Sequence, residues 1–190
     1  MRGTLDALAR GMKTILQTTI LGASLLATSA ALADTNKPKT TSAAEAKLEA
    51  LHLDTFDDLD YNVFTNQKWS ELHRSHAKDV LVHWPDGHTT KGIDTHIEDL
   101  KNMFVFAPDT RIKQHPIKVS KGEWTAVIGV MEGTFSKPMP IGGGKFIPPT
   151  NKAYKITMAT FSHWTKAGPM DEEYLFWDHA EFKKHLGLGK

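Results

Sequence analysis

The sequence predicts an α+β fold: a curved antiparallel sheet with helices packed on one side. Three observations carry that reading. Apolar residues recur at helical spacing through residues 43–107, with a single β-rich stretch between them. From Thr110 to the end the pattern is one of strands. Helices first and a meander of strands afterwards put the helices together on one face of the sheet. The third observation is Gly129 and Gly133 inside the longest strand. Glycines there bend or bulge a strand and curve its sheet. A strongly curved sheet closed by three N-terminal helices makes a cone with a pocket inside.

The elements follow in order. Basic residues come first, Arg2, Arg10 and Lys13, before an apolar small-residue run over residues 15–32. The run closes on Ala31-Leu32-Ala33, an A-x-A site. This is the grammar of a secretory signal peptide, residues 1–33, and it predicts a periplasmic or secreted chain. Gln17, Thr18, Thr19 and Ser24 interrupt the run, so it makes a poor membrane anchor and no stable insertion is expected after cleavage. Met1 and Met12 both serve as possible starts. Residues 34–42 are polar and read as a flexible tether, and residues 43–190 as one domain.

Within that domain, Leu48, Leu51, Phe56, Leu59 and Phe64 mark a first helix. Thr65-Asn66 caps a short second one with Trp69 and Leu72. Residues 78–84, K-D-V-L-V-H-W, are a strand stopped by Pro85-Asp86-Gly87. A third helix opens at Gly92 and carries Ile97, Leu100 and Phe104. Strands follow over residues 111–120, 124–135, 152–164 and 171–178, with a Pro- and Gly-rich loop at 136–150. A short helix over residues 179–188 closes the chain. Trp69 and Trp124 are expected in the core.

Composition narrows the function classes. The chain has 23 basic and 22 acidic residues, and this balance gives no reason to expect nucleic acid as a partner. There is no cysteine, which excludes disulfides, a thiol nucleophile and cysteine-ligated zinc. The G-x-S-x-G elbow of serine hydrolases is absent, and Gly142-Gly143-Gly144 lacks the context of a phosphate loop. That glycine run reads instead as a lid or a dimer contact. His73-x-x-His76 and His83…His88 have spacings at which imidazoles converge, but no H-E-x-x-H or further ligand set accompanies them. No metal and no cofactor are therefore expected.

The stretch E-E-Y-L-F-W-D-H, residues 172–179, is the most pointed feature. Alternation puts Glu172, Tyr174, Phe176 and Asp178 on one face and Glu173, Leu175 and Trp177 on the other. With the first set turned inward, Asp178 sits beside two aromatic rings, and desolvation raises its pKa toward a range useful for proton transfer. Asp178 is equally placed to cap the helix that follows, with Glu181 at the third position. His83, at the end of the first strand, is the candidate partner for its proton. Trp84, His96, Met131, His163, Tyr174 and Phe176 are the candidate substrate-binding residues. Periodicity leaves open whether Met131 or Glu132 faces inward.

Four segments resemble one family. They are H-W-P-D-G-H-T-T-K-G at residues 83–92, F-A-P-D at 106–109, P-P-T-N-K at 148–152 and E-E-Y-L-F-W-D-H-A-E-F-K-K-H-L-G-L at 172–188. In order and spacing they are similar to the SnoaL-like polyketide cyclases, also called ester cyclases, of the nuclear transport factor 2-like superfamily. The resemblance spans roughly residues 46–188. Tyr174, Asn151 and His185 stand where that family commonly has tryptophan, glycine and glutamine. The resemblance implies an α+β cone that forms homodimers and closes rings by aldol chemistry without metal or organic cofactor. It implies the acid/base role for Asp178 and a pocket position for His83. The function expected is an exported, cofactor-free acid/base enzyme of the cyclase, isomerase or hydrolase kind, acting on a small hydrophobic carbonyl compound. The alternatives are a non-catalytic carrier of a small hydrophobic ligand and a dimeric interaction module.

Overall fold

The computed structural model describes residues 41–189. The predicted signal peptide and most of the predicted tether lie outside the described residues. Helix α1 (Ala43–Asp58) starts with a capping box, Ser42 and Glu45 each bonding the other's backbone N–H. It runs on without a break into a π-helical turn, Leu59–Phe64. A 3-10 turn (Trp69–Arg74) leads into strand β1 (His76–His83). After β2 (Thr89–Lys91) comes helix α2 (Ile93–Phe106). The strands β3 (Arg111–Ile112), β4 (Ile117–Lys121), β5 (Trp124–Thr134), β6 (Met139–Pro140), β7 (Phe146–Ile147), β8 (Ala153–Trp164) and β9 (Met170–Trp177) follow, and helix α3 (His179–His185) ends the domain.

Seven strands form one sheet in the order β2-β1-β9-β8-β5-β3, with β4 also on β5. All pairs are antiparallel except β1 with β9. The sheet is therefore mixed at that one junction, because the whole domain between β1 and β9 acts as the crossover that parallel strands require. Its concave face packs on α1, the π turn and α2. The core includes Phe56, Leu59, Val63, Phe64, Leu72, Phe104, Ile112, Met131 and Trp164. Trp69 packs against this core, as expected.

Four expectations change. Leu48 and Leu51 are exposed, and the buried face of α1 is His52 and Phe56. Trp124 is 43% exposed, because it lies on the outer face of the sheet. The strand expected over residues 111–120 is split into β3 and β4, with His115-Pro116 between them. A proline has no N–H for a ladder, so pairing stops there. The loop at 136–150 contains the hairpin β6–β7, turned by Gly142, Gly143 and Gly144, all at positive φ.

Gly133 has a specific reason. A Cβ there would lie 2.7 Å from the phenol oxygen of Tyr154, its cross-strand partner, which reaches over it to Thr110. Asn151 has a φ of 56°, one that glycine adopts freely and asparagine tolerates.

Candidate functional site

The concave face of the sheet encloses a cavity of about 70 Å³. Its apolar walls include Phe56, Leu59, Phe64, Leu100, Met131 and Leu175. Into it project Asp60, His76, His96, Asp99 and Glu173. Trp84, Asp99, Met103 and Trp177 line this cavity and also a wider open groove of about 880 Å³, bounded by α2, the β6–β7 hairpin and α3. The groove is the approach, and the edge-to-face pair Trp84–Trp177 stands where the two meet.

Each polar residue arrives by ordinary periodicity. Glu173 shares the inward face of β9 with Leu175 and Trp177, opposite Ser162, Thr160 and Met158 of β8. His96 lies on the apolar stripe of α2 with Ile93, Leu100 and Met103. Asp60 follows Phe56 and precedes Phe64 by four residues, and the wide π turn carries it to the cavity wall. His76 opens β1 directly after the 3-10 turn.

Glu173 is 4% exposed, and its Oε2 has no hydrogen-bond partner within the protein. His76 Nε2 lies 3.7 Å from it and His96 Nε2 3.6 Å. Burial pushes the Glu173 carboxyl up, but the two imidazoles facing it outweigh burial and hold it below its ordinary value. Burial pushes His96 down to about 4, helped by repulsion from His76, so its imidazole is neutral at pH 7.

A second polar unit stands on the other wall. His115, its ring fully buried, bonds Asp57 through Nδ1 (2.7 Å) and Asp60 through Nε2 (2.8 Å). Its ring also stacks on Tyr61. Burial pushes Asp60 up, above the usual carboxylate range, despite its bond to His115. Burial lowers His115, but Asp60 and Asp57 outweigh it and raise the ring above its ordinary value. Asp57, half-exposed and paired with Lys118, is held low by Lys118 and His115 against the effect of burial. The unit thus runs from the outside, through a buried imidazole, to a carboxyl in the cavity.

Of the predicted substrate-binding residues, Trp84, His96 and Met131 line the cavity. The inward choice on β5 is Met131, with Glu132 outside and paired with Arg111. Five predicted site residues lie away from the cavity. Tyr174 and Phe176 lie on the outer face, Phe176 being 51% exposed. His83 is outside too, stacked on Tyr174 with ring centroids 4.0 Å apart and bonded to Glu172 at 2.8 Å. His163 is outside, bonded to Asp171 and near Trp124. Asp178 is exposed rather than inward, and it takes the other placement expected for it, capping α3 with its Oδ1 accepting from the N–H groups of Ala180 and Glu181. The parity of β9 is the reverse of the one expected. Both of its faces carry large apolar residues and an acid, so alternation alone does not choose between them.

Sequence reasoning missed Asp60, His115 and Glu173, and weighed His76 only as a partner of His73. Asp60 and Glu173 carried a usable signal, each a polar residue in an otherwise apolar stripe, as His96 is.

The sequence profile described as SnoaL-like polyketide cyclase matches residues 56–186. No curated protein sequence matches the chain. Among solved structures, IdmH, a candidate polyketide cyclase from Streptomyces antibioticus, is similar at 23% identity and a TM-score of 0.61, covering 72% of this chain and 98% of its own. A candidate SnoaL-like polyketide cyclase from Jannaschia sp. CCS1 is similar at 15% identity and 0.62, covering 75% and 96%. A SnoaL-like polyketide cyclase from Agrobacterium tumefaciens is similar at 18% and 0.54, covering 74% and 98%. At these identities the structures share the fold.

Proposed function

Because the chain belongs to the SnoaL-like polyketide cyclase family, whose members act on small molecules, we propose that it is an acid/base enzyme for a small hydrophobic carbonyl compound. Membership supports a cyclase- or isomerase-type role of the cofactor-free kind. The observation that carries the finer reading is the pair of polar units facing each other across one apolar cavity. The substrate's carbonyl oxygen would face the His76 and His96 imidazoles, whose N–H groups can donate to it, with Glu173 behind them, and Asp60 would move the proton. A carboxyl raised toward neutrality serves that task best. In the forward step the Asp60 carboxylate takes a proton from the carbon beside the carbonyl, leaving an enolate. A proton then returns from Asp60 to carbon or oxygen of the product, after exchange with solvent through His115 and Asp57.

The test uses exchange rather than a known product. The protein is incubated in D₂O with a panel of cyclic ketones, β-diketones and β-ketoesters, and deuterium uptake beside the carbonyl is followed by mass spectrometry. Uptake is expected with the native chain, and Asp60→Asn is expected to lower it by about 100-fold or more. Unchanged exchange in Asp60→Asn would sink the reading. A compound that raises the melting temperature but exchanges no deuterium would favour the carrier alternative.

A second reading concerns assembly, and the outer face of the sheet favours it. Ile117, Ile128, Ala159 and Phe176 align across four strands, and Val119, Ala126, Phe161 and Tyr174 form the next row. Phe161 is 44% exposed, and Ile117 and Val119 are exposed as well. An apolar face this continuous marks an interaction surface. We propose that it pairs with a second copy, since one sheet face can meet itself about a two-fold axis. Sedimentation should give a dimer, and Phe161→Glu with Phe176→Glu a monomer. A monomeric native chain at micromolar concentration would refute this.

A further inference from the structure

His76, His96 and Glu173 come from three separate elements, β1, α2 and β9, and are all buried. Their donor atoms lie within 4.8 Å of one another. Ser75 decides what His76 presents to the others. The Ser75 hydroxyl donates to the Leu72 carbonyl at 3.1 Å, so its lone pairs are left to accept from His76 Nδ1–H at 2.9 Å. In the neutral ring that bond puts the proton on Nδ1 and leaves a lone pair on Nε2. The lone pair points at Glu173 Oε2, another acceptor, at 3.7 Å, and neither atom has a hydrogen-bond partner. Two acceptors held face to face in an apolar cavity are costly unless something positive stands between them.

The spacing suits a metal ion better than a proton. Distances of 3.6 and 3.7 Å are too long for hydrogen bonds. Ligands bound at about 2.0–2.2 Å in a tetrahedron lie roughly 3.3–3.5 Å apart, so these edges are within a few tenths of an ångström. The edge between the imidazoles, up to 4.8 Å, is longer and would have to shorten by about an ångström on binding; His96 Nδ1 has no hydrogen-bond partner that would hold its ring against that movement. We propose that His76, His96 and Glu173 bind one divalent transition-metal ion of the zinc kind, with its fourth position open to the cavity. Two imidazoles and one carboxylate are the donor set of open, catalytic zinc sites, whereas calcium and magnesium prefer oxygen alone. The Ser75–His76 bond is the outer contact that orients a metal-binding histidine. This goes beyond the cofactor-free reading above and does not rest on it, because the binding is a property of these three side chains alone.

The test is a titration of the full chain, stripped with EDTA, with Co(II). One equivalent is expected to bind, with the intense visible bands of four- or five-coordinate cobalt, and one equivalent of Zn(II) should bleach them. Zn(II) should also raise the melting temperature as it saturates. Glu173→Gln and His96→Gln should each weaken binding by about 100-fold or more. His83→Gln, which removes a histidine–carboxylate pair on the outer face, should leave the spectrum unchanged. Absence of a one-equivalent complex overturns the proposal, as does a spectrum that survives Glu173→Gln or His96→Gln, or that His83→Gln abolishes. Should Glu173→Gln fail to fold, X-ray absorption of the native zinc protein decides. Two imidazoles and a carboxylate support the site, and any other nitrogen count overturns it. Asp60→Asn is expected to bind Co(II) normally, so loss of exchange there tests the function and not the site. Conversely, a chain that exchanges deuterium yet binds no metal refutes the site alone.

Discussion

Replacing His115 with asparagine is expected to destabilise the fold by about 3–5 kcal/mol near neutral pH, the usual loss when one partner of a buried charge pair is removed. In the native chain both ring nitrogens face carboxylate oxygens, at 2.7 and 2.8 Å. Asparagine is too short to bridge them and has no charge, so Asp60 would keep its negative charge only at the expense of burial. The pH dependence identifies the cause. Because His115 is raised in the folded state, its stabilisation is fully present below its unfolded pKa and is lost as pH rises through the folded one. Asp60 is raised as well, and it relieves the variant by taking a proton as pH falls. The deficit should therefore peak near neutrality and shrink at both lower and higher pH. Urea unfolding of both proteins across that range measures it. A deficit below about 1 kcal/mol, or one that does not change with pH, contradicts the assignment.

Acid sensitivity from His96 is the second large effect. Its pKa is pushed from an ordinary 6.5 down to about 4. A group lowered in the folded state contributes stability above its unfolded pKa, and that contribution is lost as pH falls toward the folded value. The difference corresponds to about 3 kcal/mol, removed between pH 6.5 and about 4. With EDTA present throughout, the native chain should lose this much over that window beyond what its carboxylates account for. His96→Gln, whatever its stability at pH 7, should show a slope shallower by that amount. Equal slopes in the two proteins would mean that His96 takes up its proton without strain. In that event the cavity is wetter than its walls suggest.

The order and type of the elements were readable because they depend on local pattern. Helical spacing around Phe56, Phe64, Ile97 and Leu100 and the long run of residues 152–164 state their own period, whatever they pack against. The break at His115-Pro116 was readable in principle, since proline stops a ladder. The ring of His115 beneath α1 was not, because Asp57 and Asp60 are more than fifty residues away along the chain.

The candidate site divides the same way. His96 was singled out and does line the cavity, because a histidine on an apolar helical stripe is a local signal. Glu173 and Tyr174 were assigned to opposite faces of β9 correctly, but to the wrong sides of the sheet. Alternation fixes which residues share a face and says nothing of which face is inside. That decision came from the neighbours, since Ser162, Thr160 and Met158 of β8 and Val80 and Val82 of β1 turn the Glu173 face toward the helices. By itself, then, the sequence determined a family, an α+β order and the residues that travel together on each strand. Only the tertiary structure decided that Glu173, and not Asp178, is the buried acid of the last strand. Burial belongs to the packing of distant segments, and it is burial that turns a carboxylate into a reactive group.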